Sequence, residues 1–241
     1  MISVCMTTYN GEKYLAEQIE SILKNLTPKD ELIISDDGSK DQTLKIINNY
    51  QKNDSRIRLV KGPHKGLVKN FENAIRCSKG EYIFLSDQDD IWSSNKVTEV
   101  MKCFKTTNAT LIVHDCQIID ENQNIIAPSF FKLRSSRPGV IHNLIKNSYI
   151  GCCMAFKREL INVALPIPSK VHWHDEWLGL VNDKIFNKTF FLPKILFSYR
   201  RHGDNVSSMH HSSIINMIKS RYIFYAELQK RYKKVKIERN K

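Results

Sequence analysis

Short apolar runs alternate with amphipathic stretches from residue 1 to residue 92. Ile2 to Met6, Leu32 to Ser35, Ile57 to Lys61 and Tyr82 to Leu85 have the length and composition of strands covered on both faces. Between them apolar positions return at helical spacing. Leu15, Ile19, Ile22 and Leu23 mark a helix from about residue 12 to 24, Leu44 and Ile47 one from about 41 to 50, and Phe71, Ala74 and Ile75 one from Leu67 to Cys77. Another helix is expected from about Ser94 to Lys105. Strand-helix units joined this closely imply a parallel, Rossmann-like α/β sheet with helices on both faces.

The pattern changes after residue 105. Leu111 to His114 and Gln117 to Ile119 read as strands, and Glu121 to Asn124 as a turn, so the second half of the sheet should be mixed. Residues 128–150 read as irregular, with Ser135 to Gly139 a loop. A short helix follows from Arg158 to Ala164, and Pro166 and Pro168 hold a loop open before a helix from Trp173 to about Phe186. Phe190 to Leu192 and Ile195 to Tyr199 look like the last strands. The expected divisions are a catalytic body over 1–210, its halves meeting at 92/93, and a helical tail over 211–241.

Composition adds three constraints. The six cysteines form no C-x-x-C pair and several lie in apolar runs, which fits reduced thiols rather than a disulfide or zinc framework. No stretch approaches the ~20 apolar residues needed to span a bilayer, and the first residues enter a strand with no leader pattern, so a cytoplasmic location is expected. The net charge of +12 is uneven: nine basic residues stand against Glu227 and Glu238 after His211, a net of +7. A basic, amphipathic tail over 212–241 suits an anionic membrane surface at the inner face of the cell membrane, where each Lys or Arg contributes ~1 kcal/mol. The same tail equally suits a helix packed on the body with a solvated basic face. Basic charge confined to a tail does not favour nucleic acid.

Candidate chemistry sits at the strand ends. Thr8-Tyr9-Asn10 ends the first strand, Asp36-Asp37-Gly38-Ser39 the second, and Asp87-Gln88-Asp89-Asp90 the fourth, so all three groups should share one edge of the sheet. Carboxylates this close repel one another unless a divalent cation holds them ionised, and Mg²⁺ or Mn²⁺ suits oxygen ligands shared with phosphate. The bland alternative is a solvated acidic loop capping the next helix. No G-x-G-x-x-G follows the first strand, which argues against a dinucleotide. Tyr9 and Asp36 instead suit stacking on a base and accepting from its N–H. For Asp37, capping through Asp-Gly-Ser is the favoured role.

These residues carry a family resemblance. Val4 to Leu15, then Ile34 to Thr43, then the acidic cluster, in that order, resemble inverting family 2 glycosyltransferases of the GT-A fold over residues 1 to about 205. The resemblance implies a nucleotide-sugar donor, dTDP- or UDP-linked, and Mn²⁺ or Mg²⁺. Thr8, Tyr9 and Glu12, with Asn10 beside them, would meet the nucleoside and Asp36 the base. Asp87 would lie near the ribose or the metal. Asp89 would ligate the metal, with Asp90 the competing ligand. His174-Asp175-Glu176-Trp177 resembles the His-Asp-Trp-Trp element of rhamnosyltransferase-like members, which puts Asp175 at the general base. Glu176 departs from that pattern and leaves the base contested; Asp175 can also be read as a helix-start acid. Tyr199, Arg200, His202, Gly203 and Asn205 match a late family element, implying diphosphate neutralisation by Arg200 and metal ligation by His202. The implied acceptor is a saccharide, commonly lipid-linked in this family, in surface polysaccharide synthesis. A sugar-nucleotide nucleotidyltransferase would need a Gly-rich basic loop after the first strand, and a non-catalytic nucleotide-binding protein would leave Asp175 unexplained.

Overall fold

The computed structural model describes residues 1–203, 205 and 214–239. The strands β1 (Ile2–Thr8), β2 (Glu31–Asp36), β3 (Ile57–Lys61) and β4 (Tyr82–Ser86) alternate with helices α1 (Leu15–Leu23), α2 (Thr43–Asn53) and α3 (Leu67–Cys77). They pair in parallel in the order β3-β2-β1-β4, with Thr8 opposite Asp36 and Met6 opposite Ser86. This register brings the ends of β1, β2 and β4 to one edge. Every residue of β1 and β2 is buried, as expected of strands sandwiched between helical layers.

Beyond β4 the sheet becomes mixed. The strand β5 (Ile91–Trp92) is followed by α4 (Lys96–Thr106), β6 (Leu111–Ile119) and β7 (Ile125–Ala127), then α5 (Phe130–Arg134) and α6 (Val140–Ile145). A 3-10 turn at Gly151–Cys153 leads into β8 (Met154–Lys157), α7 (Glu159–Ala164), α8 (His174–Ile185) and β9 (Thr189–Arg200). The order continues β4-β8-β6-β9-β5, with β8 antiparallel to β4 and β6 and β9 parallel to β6.

Two expected breaks are not breaks. The single strand β6 covers both stretches expected after residue 110, and its register against β9 shifts at His114, Asp115 and Gln117. The extra residues of both shifts lie on β9, the first at Pro193-Lys194, while Asp115 is tied to the other side. Its carboxylate accepts from Cys116 N at 2.8 Å, Ser129 Oγ at 2.5 Å and Phe131 N at 2.9 Å, so a buried acid organises the start of α5 from inside the strand. Likewise β9 runs through Pro193 as one strand. Residues 128–150 are more ordered than expected: Ser129 caps α5 by accepting from Lys132 N at 3.1 Å, and Asn143 anchors α6.

The last helix, α9 (Ile214–Arg239), packs against α6, α7 and α8. Phe224 is 1% and Leu228 0% exposed, and burying such side chains contributes roughly 1.5–3 kcal/mol each. Arg231 donates to the carbonyls of Val163 at 3.0 Å, Leu165 at 2.8 Å and Pro166 at 2.5 Å. The helical tail is therefore seated on the body along one face. Residues 211–213 and 240–241 of that expected tail, and Asp204, lie outside the described residues. No helix among the described residues is long and apolar enough to cross a membrane.

Candidate active site

At the shared edge the three strand ends are tied together by their own side chains. Asp36, 4% exposed, accepts from Thr8 Oγ1 at 2.8 Å, Ser39 Oγ at 2.5 Å, Ser39 N at 2.9 Å and Gly38 N at 3.0 Å. Asn10, at φ 49°, accepts from Lys40 N at 2.8 Å. Glu12 accepts from Gln42 N at 2.7 Å, just ahead of α2. Asp37 accepts from His64 N at 2.7 Å and Gly66 N at 2.8 Å, so it caps the turn before α3 rather than its own Asp-Gly-Ser turn. Gln88 clasps the backbone of Tyr9, accepting from its N at 2.9 Å and donating to its O at 3.1 Å. A Cβ at Gly11 would meet Gln88 Oε1 at 2.2 Å, so the clasp requires glycine there. Tyr9 itself stays 56% exposed, its ring open to a stacking partner.

The acidic loop divides into an inner and an outer part. Asp90 is fully buried; Oδ1 accepts from Arg200 N at 2.9 Å while Oδ2 has no hydrogen-bond partner among the described residues. Burial first, then the charges of Asp89 and Asp87, push the Asp90 carboxyl well up. Asp87 is half-buried; desolvation, then Asp89 and Asp175, push it up to about 8 against the pull of Lys96. Asp89, its side chain 13% exposed, places Oδ2 at 2.8 Å from His202 Nε2. The raised carboxyls of Asp87 and Asp90 mark a site short of positive charge, and a divalent cation would supply it.

The donor set fits a hard cation. Carboxylate oxygens of Asp87 and Asp90 lie with Cys152 Sγ within 4.8 Å of one another. Burial raises the Cys152 thiol far above its ordinary value, and a hard cation would favour the carboxylate oxygens over sulfur. Asp89, paired with His202, lies close enough for its charge to act on both Asp87 and Asp90.

Several residues that build this loop carry no motif. Gln18, fully buried on α1, donates to Ser86 Oγ at 2.6 Å and Asp87 O at 3.2 Å. Lys96, fully buried, donates to Cys152 O at 2.7 Å and lies 3.8 Å from the Trp92 ring centroid. Burial lowers its ammonium to about 8, with neighbouring thiols and Asp90 holding it up. Gln18 did leave a signal, a polar residue on the apolar stripe of α1. Lys96 left none. Arg200, 2% exposed, points into the protein: Nε donates to Asp89 O at 2.9 Å, its guanidinium pairs with Glu17, and it lies 4.7 Å from the Tyr14 ring centroid.

Across the edge from this loop stands the first turn of α8. His174 stacks on Phe71 at 3.8 Å between centroids, and Trp177, 0% exposed, donates from Nε1 to Ala164 O at 2.8 Å. These inward anchors at i and i+3 leave Asp175 half-exposed, accepting from Gly151 N at 3.1 Å and Glu176 N at 2.7 Å. No side chain caps this helix, and Asp175 lies close enough for its charge to act on Asp87. Glu176 faces the other way. It is 1% exposed and pairs with Arg221 of α9.

Gly151 sits where a Cβ would lie 2.6 Å from His174 Nε2 and 3.6 Å from Asp175 Cβ. The Gly151→Ala variant keeps an allowed backbone, since the glycine lacks a positive φ, yet should push the His174 ring aside and through it shift the adjoining Asp175; turnover should fall by about tenfold to a hundredfold. Steady-state kinetics beside a thermal melt check this, and unchanged kcat would remove Gly151 from the positioning of Asp175.

Residues 3–164 match the model for glycosyl transferase family 2. The chain belongs to this family. It is 29% identical over 187 residues to the UDP-Glc:alpha-D-GlcNAc-diphosphoundecaprenol beta-1,3-glucosyltransferase of Escherichia coli, covering 76% of this chain and 70% of that protein. It is 28% identical over 216 residues to a dTDP-rhamnosyl transferase of Shigella flexneri, covering 83% and 72%. In fold, the family 2 chain is similar to S. aureus TarS 1-349 in complex with UDP-GlcNAc, at a TM-score of 0.72 and 18% identity over 94% of this chain and 66% of that one. A relative from Nostoc, 27% identical, is matched over 66% of its own length, so the chain spans about two thirds of such proteins. The TarS likeness bears out the GT-A architecture, including a mixed second half and a C-terminal helix.

Proposed function

We propose that this family 2 chain is an inverting glycosyltransferase that moves a sugar from a nucleoside diphosphate to a hydroxyl of a saccharide acceptor. The observation that carries it is the placing of Asp175 opposite the acidic loop, at a helix start whose neighbouring side chains are both anchored inward. Asp175 takes the proton of the acceptor hydroxyl as that oxygen bonds to the anomeric carbon. The bond from that carbon to the diphosphate oxygen breaks on the opposite face, and the nucleoside diphosphate departs with the electron pair. Tyr9 and the Thr8–Asp36 pair receive the nucleoside; Asn10 and Glu12 hold the loops around it. Asp89 and His202, with Asp87 and Asp90 behind them, would hold Mn²⁺ or Mg²⁺, which when bound neutralises charge growing on the leaving diphosphate. Arg200 serves by holding the Asp89 backbone and the end of β9 together.

A lipid-linked saccharide in surface polysaccharide assembly is the acceptor class we favour, because the Escherichia coli relative is named for a diphosphoundecaprenol acceptor. For the donor, the His174-Asp175 element and the Shigella relative favour dTDP-rhamnose; the glucosyltransferase relative favours UDP-hexose as the second reading.

Thermal melts with dTDP, UDP and GDP, each with and without Mn²⁺, test the reading. A nucleotide at a hundred times its Kd stabilises the native state by about 2.7 kcal/mol, a rise of about 5–10 °C for a chain this size. The cognate nucleotide should give that rise only with the metal, and a chelator should reverse it. No rise with any nucleotide would overturn the proposal.

A further inference from the structure

The second half of the chain holds a surface that the reaction does not use. From Asn122 to Arg158 the sequence contains no Asp or Glu. Within that span, Leu133 on α5 is 60% exposed, and Ile141 and Ile145 on α6 are 78% exposed each. The two isoleucines are four residues apart and so share one helical face. Their outward direction is fixed by the opposite face. Asn143, fully buried, donates to Arg137 O at 3.0 Å and Gly139 O at 2.9 Å and accepts from Ser148 N at 2.8 Å. Arg137 Nε also bonds His142 Nδ1 at 3.0 Å, which lays a cation alongside the isoleucines, and exposed Lys132 and Lys146 flank them in sequence.

We propose that the outer face of α5 and α6 rests on an anionic lipid surface. Apolar side chains held outward among cations, with no carboxylate in the segment, match acyl chains and headgroups at once. A second copy is the weaker occupant, because a two-fold contact would set this face against itself, cation against cation. The basic helix α9 is less free to bind lipid than its sequence suggests. Arg221 pairs with Glu176, Arg231 is bound to carbonyls, and Lys230 and Lys234 face Glu227 and Glu238. The placing also serves the reaction, and to that extent rests on the proposed lipid-linked acceptor: α6 runs through Ser148 and Tyr149 to Gly151, which bonds Asp175.

Vesicle co-sedimentation of the full chain tests this, with phosphatidylcholine alone and with added phosphatidylglycerol. The chain should bind the anionic vesicles, weakly the neutral ones, and less as salt rises. Ile141→Glu with Ile145→Glu should weaken binding by roughly tenfold per residue, the factor for losing one buried aliphatic side chain. Both positions are exposed, so the melt and the nucleotide-induced rise should be retained. Lys233→Glu with Lys236→Glu on α9 should keep most of the binding. Loss confined to the α9 variant, or unchanged binding by the α6 variant, would overturn the proposal. So would absence of vesicle binding, and a dimer abolished by the α6 variant would then assign the face to self-association. Vesicle binding needs no nucleotide, so a failure here leaves the glycosyltransferase reading standing, and a failed nucleotide melt leaves this one.

Discussion

Asp175→Asn should lower kcat about a thousandfold while nucleotide binding stays near wild type, since a positioned general base contributes typically 10²–10⁴. The substitution keeps the side-chain shape but has one acceptor oxygen where the carboxylate has two. Asp175 uses both, for Gly151 N and Glu176 N, so one of these bonds is lost, a change of about 1 kcal/mol. An opposing effect limits the loss of stability. The charge of Asp175 helps raise both Asp87 and Glu176, and its removal relieves both. Near-normal Tm with collapsed turnover is thus the expected pair of results. Turnover within threefold of wild type would remove Asp175 as the base; loss of nucleotide binding as well would mean that the variant disturbs the donor side.

The second large effect concerns Arg221→Met and should appear only at high pH. Burial pushes Glu176 up to about 7, against the pull of Arg221 and with the charge of Asp175 adding to the rise. Because the folded value lies above the ordinary 4.5, the stability given by the protonated acid is fully present below 4.5 and is lost as pH climbs to about 7. Above that the wild type levels off. Without Arg221 the acid moves higher still, and the loss continues past pH 7. The gap between variant and wild type then widens by at most about 1.4 kcal/mol for each further pH step of one, less for solvent screening because Arg221 is 33% exposed. Melts at pH 6 and pH 9 should show near-equal midpoints at the first and a variant lower by several degrees at the second, about 2–4 °C per kcal/mol. Glu176→Gln, which imitates the neutral acid, should abolish the difference. A deficit of the same size at both pH values would mean that Arg221 contributes by packing alone.

Most of the first half could be read from the sequence because buried parallel strands are continuous apolar runs. The third strand and third helix fall where their patterns place them, at Ile57–Lys61 and Leu67–Cys77. Legibility failed where a buried polar residue breaks a run. Asp115 made one long strand look like two, since its role in holding Ser129 and Phe131 is a tertiary fact. The two-residue strand at Ile91–Trp92 is too short to show a period. The acidic loop was visible as a carboxylate cluster at a strand end, but its division was not: spacing alone does not show that Asp90 turns inward to Arg200 N while Asp89 faces His202. Glu176 stood out as a departure from a pattern. Its burial against Arg221, 45 residues away, needed the fold.

The pairing of β5 with β9 sets a rule for recombining such enzymes. A natural place to exchange donor specificity would be the junction at 92/93, where the expected nucleotide-binding half ends in sequence. Ile91 and Trp92, however, are completed by Ser198 and Phe197. A chimera cut only at that junction would give the incoming acidic loop a foreign closing strand, with a mismatched residue at the position of Arg200. The transferable unit is discontinuous: residues 1–92 together with the strand at 189–200 and its following turn, exchanged as one cassette around the rest of a retained second half.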